Sequence, residues 1–324
     1  MPFTSMDLAT AQPVPHESSE LLIAYIERTI TDPRAGLFGP GSITWRVNRE
    51  SALFLGAGRA ALMQLAHPWV ATALEQHSTL MARPIARFHS TFRIVFTMVF
   101  GSLAQATAAA RHVYSLHTYV QGSMAEDVAR WPRGSHYQAN EIAALRWVYA
   151  TLIESAVLAY NSVLPPLTSR ELEAYYAENK RLAALFGLPA SSMPADWESF
   201  QIYCREMEQS GDLGVSNAAR AMAHNLLAGA GSWIKPPQWY RALTMDWLAR
   251  RFRTEFGLRF GAEEEHAAFH ARQALPRWYG RLPDAVRFVG PWREAQARLL
   301  GRKPGLLARL GNKFWIGEAS MPFS

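Results

Sequence analysis

Arg93, Thr97, His112 and His117 stand out in the stretch from Thr91 to Gly122, and their spacing sets what they can do. Arg93 and Thr97 are four residues apart, which puts a guanidinium and a hydroxyl on one face of a helix otherwise built from Ile, Val and Phe. A guanidinium in that setting calls for an anionic partner, because an unpaired buried charge is costly. Glu75 or Glu154 in the core would serve, and so would the carboxylate of a bound cofactor. His112 and His117 lie five residues apart on the next helix, so about 140° separates them around its axis and only one faces a given pocket squarely. His117 continues the apolar face of Val113, Tyr114 and Val120, whereas His112 adjoins Arg111. An imidazole on such a face is either a hydrogen-bonded core residue or a metal ligand.

The remaining chemistry-bearing residues narrow the field. Ten histidines include no HExxH and no HxH pattern, so a self-contained zinc site is not expected. His266 and His270 stand four apart but follow three glutamates, as on a solvated helix face. Gly56-Ala-Gly58 looks like a dinucleotide fingerprint, with Glu75 nineteen residues beyond Gly56. That fingerprint needs a βαβ unit, and no strand series follows. Small residues here instead let a helix approach a neighbour or a flat ring closely. Farther on, Trp147, Thr151 and Glu154 share a helical face through offsets of four and seven.

The elements that must position these residues are helices. Apolar residues recur at three- and four-residue spacing almost everywhere after a leader, expected to be flexible, spanning residues 1–20, and period-two alternation is nearly absent. The chain is therefore expected to be all-α, with residues 21–324 forming a single globular domain around an apolar central pocket. Ser102 with Gln105 and Thr168 with Glu171 read as capping boxes, and Ser216 as an N-cap. Gly187 and Gly257 close helices, prolines mark the joints, and residues 229–237 are the best candidate for an internal seam.

Composition excludes several classes. With 49% hydrophobic and 19% charged residues in 324, the chain buries a large core and is not disordered. Its net charge of +6 is concentrated toward the C-terminal part, in arginines interleaved with Trp, Leu and Phe. That pattern reads as solvated faces of amphipathic helices rather than a nucleic-acid footprint. Cys204 stands alone, so no internal disulfide or cysteine-ligated cluster is available. The first twenty residues lack a secretory pattern and no run reaches about 18 consecutive apolar residues, which points to a cytoplasmic protein. An apolar face remains free to touch a membrane or a greasy substrate.

Taken together, the segments TFRIVFTMVFGS, SLHTYVQG, GRAALMQLAHPWV and LRWVYATLIESAVLAYN resemble, in order and spacing, the catalytic domain shared by rubber oxygenases and the mycophenolic-acid-pathway oxygenases. The resemblance runs from about residue 51 to residue 300. It implies an all-α domain holding haem b, with His117 as the axial iron ligand and Gly122 ending or relaxing its helix. By the same analogy Arg93 anchors a propionate and Thr97 lines the pocket. Arg59, His67 and Trp147 join the cofactor contacts, and Glu154 joins Arg93 and Thr97 as a catalytic candidate. For Arg59, His67 and Glu154 a buried polar network that orients helices is an equal reading. Two positions depart from the family pattern. Phe96 stands where rubber oxygenases carry a distal lysine, which puts rubber-type cleavage in doubt, and Tyr149 stands where many relatives carry histidine.

The resemblance implies a haem-dependent oxygenase acting with dioxygen on a small apolar, isoprenoid or lipid-like substrate. A non-catalytic haem or lipid binder on the same scaffold is the second reading. A cofactor-free helical interaction protein is the third.

Overall fold

The computed structural model describes residues 12–78, 84–232 and 235–323. Among them run sixteen α-helices and one two-stranded antiparallel hairpin. The first half contains α1 (His16–Thr29), α2 (Ile43–Asn48), a 3-10 turn (Ser51–Leu55), α3 (Ala57–Leu65), α4 (Pro68–His77), α5 (Pro84–Phe100) and α6 (Leu103–Thr118). The hairpin β1 (Gln121–Ser123) and β2 (His136–Gln138) pairs Gly122 with Tyr137 and leads into α7 (Ile142–Asn161). Then come α8 (Ser169–Ala184), α9 (Trp197–Gln209), α10 (Asn217–Ala228), α11 (Gln238–Asp246) and α12 (Arg250–Glu255). The chain continues with α13 (Ala262–Tyr279), α14 (Asp284–Arg287), α15 (Gly290–Leu299) and α16 (Leu306–Ile316).

The expected all-α class holds, and the capping chemistry explains where the helices begin. Ser102 accepts from Gln105 N while the Gln105 side chain accepts from Ser102 N, and Thr168 and Glu171 do the same at α8. Ser216 caps α10, which closes at Gly229 in the left-handed conformation. Residues 12–20, inside the leader expected to be flexible, carry defined structure. Val14 is buried, its N–H donates to Asn140 O at 2.8 Å, and α1 already begins at His16. Residues 1–11 lie outside the described residues.

Helix α7 is apolar nearly all round and sits in the core against α2, α3 and α8, as such a helix must. Among the described residues it is the one helix long and apolar enough to cross a membrane. The small residues at the start of α3 let it approach α7 at Gly56 and α11 at Gly58. A Cβ at Gly56 would overlap Ser155 O, and one at Gly58 would meet Thr244 Oγ1 at 2.7 Å. The glycine pair thus serves helix packing. Gly122, expected to end the His117 helix, lies instead in β1, where a Cβ would meet Gln76 Oε1 at 2.5 Å and Tyr137 OH at 2.8 Å. The helix ends at Thr118.

Two long-range ties close the structure front to back. Arg287 donates to both oxygens of buried Glu50, at 2.7 and 3.0 Å, and Tyr279 OH donates to the same carboxylate. Trp315 of α16 stacks on Phe54 with ring centroids 3.9 Å apart and planes 8° from parallel.

Candidate functional site

The α3–α7 contact gathers Arg59, Trp147, Thr151 and Glu154, the face expected from their spacing. Arg59 is buried, and its guanidinium is nearly saturated: Nε donates to Trp247 O at 3.0 Å and Nη1 to Ser155 Oγ at 3.2 Å. Nη2 meets Glu154 Oε2 at 2.7 Å and Glu208 Oε1 at 3.1 Å. Three of the five N–H groups a guanidinium offers are hydrogen-bonded and Glu154 adds an ion pair, so Arg59 here binds helices α3, α7 and α9 together. Burial, then the neighbouring Glu154, raises the Glu208 pKa. Burial, then the same glutamate, pushes the Cys204 thiol far up, so it stays protonated. Trp147 donates from Nε1 to Met63 O at 2.9 Å, and Thr151 Oγ1 accepts from Gln64 at 3.1 Å. Tyr149, in the position where histidine was anticipated, is buried and donates to Asn179 O at 2.8 Å.

His67 occupies the N-cap position of α4, directly before Pro68. Its ring packs against the Trp69–Trp131 pair, with centroids 6.3 and 5.8 Å away. Burial, then the Arg130 charge, lowers its pKa to about 4, so the ring is neutral at physiological pH. Arg130 is itself ion-paired with Asp212. His67 Nδ1 has no hydrogen-bond partner among the described residues.

His117 lies in the last turn of α6, where α5 runs alongside. It is half-buried; burial and then the Arg87 guanidinium lower its pKa to about 4, against the opposing pull of the Asn140 side chain as an acceptor. The ring therefore presents a neutral nitrogen, the form a metal requires. Arg93 takes a different course. Its Nη1 meets Glu318 Oε1 at 2.6 Å and its Nε donates to Ile316 O at 3.1 Å, so its protein partner comes from the chain after α16 rather than from Glu75 or Glu154. Thr97 is fully buried and its Oγ1 has no partner among the described residues. At 1.5 Å per residue, Thr97 stands about 15 Å along α5 from Arg87. The α5–α6 pairing brings His117 to Arg87 and Asn140, not to Arg93 and Thr97.

The other histidines are spoken for. His112 packs on the Phe323 ring, His77 Nε2 is 3.1 Å from Gln121 O, and exposed His266 and His270 bond to each other. Among the described residues no group of three or more His, Cys, Asp and Glu converges as a metal site. One cleft of about 480 Å³ opens beside His224, Arg241 and Glu263, and one of about 550 Å³ beside Ser42, Arg46 and Glu171. Neither is lined by His117. On donor chemistry His117 fits an axial haem ligand, whereas Arg93, committed to Glu318, does not fit a propionate anchor at the same site.

A family model described as the catalytic domain of ER-bound oxygenase mpaB/B' and rubber oxygenase matches residues 45–280. The chain belongs to this family. The match contains the seven candidate site residues Arg59, His67, Arg93, Thr97, His117, Trp147 and Glu154 and spans α3 to α13, while α1 and α14 to α16 lie outside it. No curated protein and no solved structure matches the chain. Sequence reasoning missed Arg87, Asn140, Glu208 and Glu318, none of which belongs to a recognisable motif.

Proposed function

We propose that this oxygenase-family chain is a haem b-dependent oxidoreductase acting with dioxygen on an apolar, isoprenoid or lipid-like substrate, with His117 as its axial ligand. The observation that supports this reading is the neutral, half-buried imidazole of His117 within the matched region. Haem, when bound, supplies the dioxygen chemistry. The protein's own part is to keep His117 unprotonated and oriented. Desolvation does the first, and the neighbouring Asn140 side chain would do the second by accepting from the ring N–H turned away from the iron. Arg87 is the guanidinium that stands beside His117 and could meet a carboxylate there.

The test is the ultraviolet–visible spectrum of protein from cells supplied with iron and a haem precursor, compared with His117→Ala. A Soret band present in the parent and lost in the variant is expected. Absence of a band in the parent, even after haem titration, sinks the reading.

A second reading is favoured by one observation. Phe96, at the distal-lysine position, is buried in a row of rings with Phe92 and Phe100 and brings no base. On that reading the chain binds haem or lipid without catalysis. Haem-loaded protein that takes up no oxygen across a panel of isoprenoids would favour it over the first.

A further inference from the structure

Helix α16 is fastened along one face and apolar along the other. On the inner side Ala308, Asn312 and Ile316 are buried, Asn312 donates to buried Glu294, and Gly311 lies against Gly290 of α15. Trp315 stacks on Phe54, and the carbonyls of Phe314 and Ile316 are held by His89 and Arg93. On the outer side Leu306, Leu307, Leu310 and Phe314 are 72%, 59%, 53% and 55% exposed. At 100° per residue these four fall within an arc of about 100°. A surface helix normally turns polar residues outward; one that is apolar on both faces calls for a second cover.

The charges around the stripe say what that cover is. Arg309 and Lys313 lie at its edge, within about 60° on the wheel, and Arg302 and Lys303 precede the helix. All four are exposed, and none is ion-paired among the described residues. From Leu300 to Ile316 there is no Asp or Glu. A second copy docked through this stripe about a two-fold axis would set these cations against themselves. An anionic surface is complementary to them. We propose that the outer face of α16 docks on an anionic phospholipid bilayer, with the Leu and Phe side chains entering the acyl boundary and the cations at the headgroups. The proposal does not depend on the oxygenase reading, since α16 lies outside the family match.

The experiment is co-flotation of the full chain with vesicles of phosphatidylcholine alone and of phosphatidylcholine with phosphatidylglycerol, at low and high salt. The parent is expected to float with the anionic vesicles, less with the neutral ones, and less as salt rises. Leu307→Glu with Leu310→Glu should abolish flotation with circular dichroism and thermal transition unchanged, since both side chains face solvent. Arg309→Gln with Lys313→Gln should weaken binding by about fivefold per cation removed. Failure of the parent to float, or variants that float as the parent does, overturns the proposal. So does a parent dimer that the leucine variants convert to monomer, which would make the stripe a contact between copies.

Discussion

On the α3–α7 side Arg59 places its guanidinium against two carboxylates, a hydroxyl and a carbonyl. Along α4 and α5, by contrast, His67 Nδ1 and Thr97 Oγ1 are equally deep and have no partner among the described residues. Buried polar groups are nearly always satisfied, so the two regions differ in purpose. A saturated cluster fixes the helices it joins. Each unsatisfied atom retains hydrogen-bonding capacity that a ligand can use, and carries a stability penalty until then.

The contrast can be broken most forcefully at Arg59. Replacing it with Met leaves Glu154 and Glu208 close together without their cation, and a loss of about 3–5 kcal/mol is expected in urea denaturation. Adding Glu154→Gln and Glu208→Gln should recover much of it. A loss below about 1 kcal/mol would show that the cluster is not the clamp its geometry describes.

A pH comparison comes next. The His67 pKa falls from 6.5 to about 4 on folding, so between those values the unfolded chain binds more protons and stability falls as pH drops. The expected loss is about 3 kcal/mol, complete near pH 4 and absent above the unfolded value. His67→Phe should flatten that part of the profile. Identical slopes in parent and variant would mean that His67 is solvated.

The smallest effect belongs to Thr97. Exchange for Val removes the stranded hydroxyl at nearly constant shape and should leave the ligand-free protein unchanged or stabilise it by about 1 kcal/mol. Destabilisation would reveal a partner for the hydroxyl.

Much of this contrast was legible in the sequence in kind but not in place. The offsets that put Trp147, Thr151 and Glu154 on one face are a property of a single helix, and the structure packs that face toward α3. The pairing of Arg93 with Thr97 is just as sound locally, yet the partner of Arg93 is Glu318, 225 residues away, and helical periodicity says nothing about which distant segment covers a face. The separation of His117 from Thr97 arises likewise from the antiparallel turn between α5 and α6, which matches the end of one helix to the start of the other. The hairpin was hidden because three-residue strands are too short to show alternation.

The ties from Glu50 to Arg287 and from Phe54 to Trp315 join positions 237 and 261 residues apart. During synthesis, then, Glu50 has only its neighbour Arg49, and Phe54 only the rings of α5, until almost the whole chain has emerged. Helices α3 to α8 can form as they emerge, but this seam closes late, and a nascent chain stalled before residue 287 exposes Glu50 and Phe54 to other chains. Ribosomal pausing in that interval is where aggregation would begin.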